Sequence, residues 1–264
     1  MADERIHRAV SPDGTELAGR VQGQGPPLVL IHAGLGDGGA AWLFMLADLV
    51  EHFTCYLMNT RGRHLSADHP DHSRERQFED VAAFVASIGQ PVGLFGHSSG
   101  GLWALGGVAL AGPRVQRLAL YEPALTLTTP FMSDDDCARF ALAAAEGRLG
   151  DAVRILTEVI ELEQAEQELF SAPGIAERVE GYAAVAAREA PELNRPLDAD
   201  LLDAIITPVL LIQGTRSADR YKQATRHLAE RLDAHVVDVE AGHLGPLTAG
   251  PAVAKELVQF LSGP

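Results

Sequence analysis

Cysteine is almost missing from this chain. Cys55 and Cys137 are the only two in 264 residues, too few for a disulfide framework and without metal-ligand spacing. Lysine is scarcer than usual as well, with only Lys222 and Lys255, arginine standing in its place. That bias carries no functional information. Basic charge is short overall: 21 Lys and Arg face 36 Asp and Glu, a formal net charge of −15. Such a balance argues against nucleic acid or an anionic membrane as partner. No apolar run approaches the ~20 residues of a membrane span. The leading segment MADERIHRAV is charged and has no apolar core, so no signal peptide is expected. A soluble, reducing, cytoplasmic setting is the expectation, with a small molecule as partner and a homodimer left open.

What is present is enough apolar sequence for a sizeable core. A chain of 264 residues with 47% hydrophobic content supports one substantial core, with room for an inserted subdomain. SPDGTEL is a Pro-Asp-Gly turn in an N-terminal hairpin. PPLVLIH (26–32) is a short apolar run ending at the glycine-rich AGLGDGG. A helical pattern follows at 40–52, then the run FTCYLMN (53–59) and the loop TRGRHLSADHPDHS. Helical periodicity returns at 75–88, before the run PVGLFG (91–96) and a helix opening at SSGGLWALGGVAL. VQRLALYEP (115–123), PVLLIQG (208–214), a helix near 219–232, HVVDVE (235–240) and a closing helix at 251–262 complete the pattern. Short apolar strands alternating with helices indicate a parallel sheet covered on both faces, an α/β fold.

The stretch from 125 to 204 breaks this rhythm. It has helical segments such as DDDCARFALAAAEGRL and IAERVEGYAAVAAREA but no convincing strand. The expectation is a helical cap over one end of the sheet, with 1–124 and 205–264 as the core; a longer set of crossover helices is the plainer alternative. Phe131, Met132, Phe140 and Phe170 are candidates to wall an apolar site, though packing within the cap is the simpler role. Trp42 and Trp103 read as packing between helix and sheet, and ELEQAEQEL as a solvated helix face.

FGHSSGG contains Gly96-x-Ser98-x-Gly100. Alone the pattern is weak, but a strand leads in and a helix leads out. A sharp strand-turn-helix elbow crowds the backbone, so small residues are needed two positions either side of the nucleophile. Ser99 lacks that glycine on its N-terminal side, where His97 stands. Ser98 is therefore the candidate nucleophile. A serine hydroxyl attacks poorly until a base takes its proton. Of ten histidines, His32 and His97 belong to a strand end and the elbow, where a structural role is simpler. His64, His69 and His72 lie among aspartates in a polar loop that no helical or strand spacing organises for a metal. His243, in EAGH after the last strand, falls on the same sheet edge as Ser98, and is the candidate base. An oxyanion needs backbone donors. Ser99 N–H follows the nucleophile, and the second donor falls in AGLG. HAGLGDGG matches neither of the glycine-rich phosphate-binding loops.

In order and spacing, LIHAGLGDGGAAW, TRGRHLS, GLFGHSSGG, LALYEPAL, PVLLIQG and EAGH resemble the α/β-hydrolase family over about 5–124 and 205–264. The resemblance implies an eight-stranded, mostly parallel sheet with a cap inserted after the sixth strand. It also implies Ser98 as nucleophile, His243 as base, and Gly34 and Ser99 as oxyanion donors, without a cofactor or metal. Ala33 replaces the usual glycine, so either Gly34 or Leu35 supplies the first N–H. Family members that open epoxides or displace halide carry an aspartate where Ser98 stands, so a serine directs the chemistry to acyl transfer. The GLG loop and a glutamate after the sixth strand are also loosely similar to zearalenone-type lactone hydrolases.

The triad acid is the open point. Many such chains carry it three residues after the glycine of VLLIQG, but that position is Ser217. Glu122, directly after the strand beside the serine strand, is the stronger candidate, because some family members carry their acid there when the later position is vacant. Asp219 is the alternative, and a role in the first turn of the next helix explains it equally well. The expected function is a serine hydrolase of a medium-sized apolar ester or lactone. A thioesterase or cyclase would use the same residues, and a ligand-binding, non-hydrolytic member of the fold is the rival from another class.

Overall fold

The computed structural model describes residues 5–127 and 129–263. The start of the leading segment, Thr128 in the expected cap, and Pro264 lie outside the described residues. Eight strands form one sheet: β1 Arg5–Val10, β2 Glu16–Gln22, β3 Pro27–Ile31, β4 Thr54–Met58, β5 Val92–His97, β6 Val115–Tyr121, β7 Val209–Gly214 and β8 His235–Val239. Their spatial order is β1-β2-β4-β3-β5-β6-β7-β8. β1 and β2 pair antiparallel, β2 runs antiparallel to β4, and every pairing from β4 to β8 is parallel. The helices are α1 Leu46–Leu49, α2 Arg74–Ser87, α3 Ser99–Ala111, then α4 Asp134–Ala145, α5 Leu149–Val159, α6 Gln164–Phe170, α7 Ala176–Glu180, α8 Ala183–Leu193 and α9 Ala199–Asp203. After β7 come α10 Asp219–Leu232, α11 Gly245–Thr248 and α12 Gly250–Leu261.

The central strands are apolar on both faces because both faces are covered. Val29, Ile31, Leu94, Leu118, Leu120 and Leu211 point into a core shared with α2, α3 and α10. Their neighbours Leu28, Leu30, Phe95, Ala119, Leu210 and Ile212 point the other way, onto α1 and α12. This period-two split is what a strand geometry imposes on a continuous apolar run. Trp42 and Trp103 are both fully buried, one in each layer.

The expected helix over 40–52 is mostly not helical. Only Leu46–Leu49 is, and turns precede it. The apolar spacing was real, since Trp42, Met45 and Leu49 are all buried. The buried Asp37 carboxylate, however, accepts the N–H groups of Gly39 and Ala40 at 2.7 and 3.0 Å. It offers the backbone a local turn that competes with helix.

Helices α2 and α3 pack closely because α3 carries two adjacent glycines. A Cβ at Gly106 would stand 2.1 Å from the Phe78 ring, and one at Gly107 2.3 Å from Val81. Gly106→Ala would gain ~1 kcal/mol of helix propensity but overpack the contact by ~1–3 kcal/mol. The clash is with the body of a buried ring, so overpacking wins. The variant should unfold at lower urea concentration with an unchanged m-value; an equal or higher midpoint would contradict this packing.

All six helices from α4 to α9 lie between β6 and β7. Their buried residues, Phe140, Ile155, Phe170, Val179, Ala186 and Leu202 among them, belong to the same core as Leu102 and Leu244.

Candidate active site

Ser98 stands between β5 and α3 at φ 55° and ψ −122°, a conformation that costs an L-residue of order 1–3 kcal/mol. Close backbone approach enforces the small neighbours. A Cβ at Gly96 would lie 2.5 Å from the Gly100 carbonyl oxygen, and one at Gly100 2.4 Å from the His32 carbonyl oxygen. Ser98 N–H donates to Tyr121 O at 3.0 Å, which ties the elbow to the end of β6.

β5 and β6 are paired through His97 and Tyr121, so the next residues, Ser98 and Glu122, emerge side by side. Glu122 also has a positive φ, 43°. β8 brings His243 to the same edge. Its Nε2 lies 3.0 Å from Ser98 Oγ and its Nδ1 2.7 Å from Glu122 Oε2. The other Glu122 oxygen accepts the Gly214 N–H at 2.7 Å. Serine, histidine and glutamate thus form one hydrogen-bonded line, with exposures of 8%, 3% and 0%. Asp219 is exposed at the first position of α10. Ser217 is buried near Gly214, beside the acid rather than in its place.

Burial governs the protonation of this line. It pushes the Glu122 carboxyl up to about 7, against the Gly214 N–H, Ser217 and Lys222, which favour the carboxylate. Burial also pushes the His243 imidazole below its ordinary range, and the charge of Arg220 adds to this. A neutral imidazole beside a carboxylate is the form a general base needs.

The other two histidines nearby are braces. Burial keeps His97 well below the ordinary imidazole range, and its Nε2 donates to the His243 carbonyl at 2.8 Å. His32 Nδ1 donates to Ala33 O at 2.9 Å, and its Nε2 accepts the Thr60 N–H at 3.3 Å. Burial lowers His32 to about 4, Arg63 assisting.

Gly34 faces Ser99 across the cavity: a Cβ at Gly34 would stand 3.4 Å from Ser99 Oγ. Gly34, Leu35 and Ser99 all line the same cavity as Ser98 and His243. The loop is fixed from behind by Arg63, which donates to Gly34 O at 2.6 Å and pairs with both oxygens of Glu189 at 2.6 and 2.8 Å. Burial acts to raise the Glu189 carboxyl, but the Arg63 guanidinium and His72 override it and hold it at about 2. Removing one partner of a buried pair leaves an uncompensated charge, at a cost of about 3–5 kcal/mol. Glu189→Ala should lose that much stability in chemical unfolding. A loss below ~1 kcal/mol would mean that water screens Arg63.

The cavity above Ser98 has a volume of about 50 Å³ and is walled by Phe131, Phe140, Leu156, Phe170 and Leu193. Three of the four apolar candidates of the insert, Phe131, Phe140 and Phe170, are therefore cavity wall; Met132 is buried in the core but does not line it. Two contacts escaped the sequence. Tyr221 stacks on the His243 ring, centroids 4.0 Å apart and planes at 14°. Glu166, inside the acidic stretch read as a solvated face, is fully buried. Its neighbours Glu163 and Glu168 make the exposed ion pair and hydrogen bond expected of that face. One inward carboxylate among many outward ones leaves no periodic signal.

A doubly wound α/β protein with serine, histidine and carboxylate converging on one sheet edge is a hydrolase-type architecture. Residues 28–256 match the sequence profile of the Alpha/beta hydrolase family, and the chain belongs to that family. The chain is 34% identical over 107 residues to N-formylmaleamate deformylase of Pseudomonas putida, a match spanning 39% of this chain and 40% of that protein's length. It is similar in structure to an alpha/beta hydrolase from Sphaerobacter thermophilus, with TM-score 0.82, 29% identity, and 97% of this chain and 100% of the other covered. The enol-lactonase of Burkholderia xenovorans superposes with TM-score 0.76 at 24% identity, over 97% of this chain and 100% of that one, and speaks for the fold alone.

Proposed function

We propose that this chain is a serine hydrolase that cleaves a carboxylic ester or lactone with a compact apolar acyl group, through an acyl-enzyme. The observation that carries the reading is the unbroken line Ser98 Oγ–His243 Nε2 and His243 Nδ1–Glu122 Oε2, at 3.0 and 2.7 Å, beneath an apolar cavity. His243 takes the Ser98 proton as Oγ attacks the acyl carbon. The oxyanion then gathers donors from the Ser99 N–H and from Gly34 or Leu35. Imidazolium returns the proton to the leaving oxygen, and water, deprotonated by His243, releases the acid. Glu122 holds the ring in its working tautomer throughout. None of these steps requires a cofactor.

At about 50 Å³, the cavity is well below the roughly 300–1,000 Å³ of drug-sized ligand sites, which favours short acyl groups. The helices from 134 to 203 serve in this reading as the cap that closes over Ser98. A second reading, hydrolysis of an N-formyl amide by the same residues, is favoured by the relative from Pseudomonas putida.

The test is fluorophosphonate labelling together with a panel of p-nitrophenyl esters, lactones, thioesters and N-formyl amides. The expected result is label on Ser98 and turnover highest for short acyl esters or lactones. Highest turnover on N-formyl amides would install the second reading, and a folded protein that neither labels nor turns over any of them would defeat both.

A further inference from the structure

The two peptide units that flank His243 are held at three polar groups, each by a different side chain. Tyr121 OH donates to Gly242 O at 2.7 Å, and His97 Nε2 donates to His243 O at 2.8 Å. Leu244 N–H donates to Glu166 Oε1 at 2.6 Å. The first two holds come from the sheet, on β6 and β5. The third comes from α6, in the helical insert and 78 residues away in sequence. The Glu166 carboxyl also occupies the space above Gly242: a Cβ there would meet its two oxygens at 2.6 and 2.7 Å. Its second oxygen, Oε2, is buried without a hydrogen-bond partner among the described residues.

A fully buried carboxyl carries a large desolvation cost, and burial pushes this one up to about 7, against the Leu244 N–H. An apolar side chain would fill the space without that cost, but it would leave the Leu244 N–H without an acceptor. We infer that Glu166 is a positioning residue, reaching from the insert to the backbone on both sides of His243 to fix where the imidazole stands relative to Ser98. This inference rests on the serine hydrolase reading. Placement matters because an error of 1 Å between reacting groups costs about 10²-fold in rate. Phe170, one helical turn after Glu166 on α6, lines the cavity, so one short helix carries both a wall of the acyl site and the grip on the base.

The test compares Glu166→Leu, which keeps the bulk and removes the acceptor, with Glu166→Gln, which keeps an acceptor oxygen without a charge. Rates for p-nitrophenyl butyrate are divided by the fraction of sites titrated by fluorophosphonate, so that only folded, competent protein counts. For Glu166→Leu, kcat should fall about 10- to 100-fold with KM little changed, and the labelling rate of Ser98 should fall by the same factor. Glu166→Gln should recover most of both. Glu166→Ala carries the same expectation and replaces the leucine variant if that one does not fold. Wild-type kcat per titrated site in the leucine or alanine variant would overturn the inference, as would a glutamine variant impaired to the same extent. A wild-type protein that does not label at Ser98 would count instead against the serine hydrolase reading itself.

Discussion

Ser98→Ala should abolish covalent labelling and lower kcat by about 10³–10⁶-fold, as for other triad nucleophiles, with the far-ultraviolet spectrum and melting temperature unchanged or raised. The elbow explains the last point. Ser98 sits at φ 55° because neighbouring strands hold it there, and alanine occupies that conformation at no greater cost than serine. Among the described residues the hydroxyl itself makes one hydrogen bond, with His243 Nε2 at 3.0 Å. Residual hydrolysis should remain above the uncatalysed rate, because the oxyanion donors belong to the backbone. Ser99→Ala is the matched control. Its hydroxyl is buried without a hydrogen-bond partner among the described residues, the backbone N–H survives the change, and labelling should continue. Loss of activity in both, with Ser98→Ala still labelled, would refute the assignment.

Glu122→Gln should lower kcat by about 10²–10⁴-fold and move the pH profile. The working pair is neutral His243 beside ionised Glu122. Burial raises Glu122 to about 7 and lowers His243, so below about pH 7 the pair holds one proton more than the working form. The wild-type rate should therefore fall as pH drops through neutrality, with an apparent pKa that belongs to the pair. In the glutamine variant no carboxylate favours the imidazolium, and burial and Arg220 both lower His243. Its acidic limb should shift to lower pH even though its plateau is far beneath the wild type. Asp219→Asn should leave both the plateau and the limb in place, since Asp219 is exposed at the start of α10. The reverse pattern would move the acid to Asp219.

The strands and the elbow were legible in the sequence because their causes are local. A parallel strand covered on both faces must be a continuous apolar run, and a crowded turn must be flanked by glycines. Ser98 and His243 follow from chain order on such a sheet. Glu122 became the stronger candidate over Asp219 only by combining the vacancy at Ser217, a charged residue at the end of β6, and the family resemblance, in which some members carry their acid there. The contacts that support these groups come from far along the chain and left no pattern. Arg63 finds Glu189 126 residues away, and Glu166 finds Leu244 across 78. The turns at 38–45 were missed for the opposite reason: a buried aspartate, Asp37, overrode an apolar spacing that would otherwise suit a helix.

The central claim is a covalent acyl group on Ser98 during turnover. The direct measurement is rapid mixing of wild-type protein with p-nitrophenyl butyrate, acid quench within the first turnover, and peptide mapping by mass spectrometry. The account predicts a burst of p-nitrophenol and a butyryl group on the peptide that contains Ser98, absent from Ser98→Ala. Full turnover with no acylated peptide, or a butyryl group carried on another residue, would contradict it.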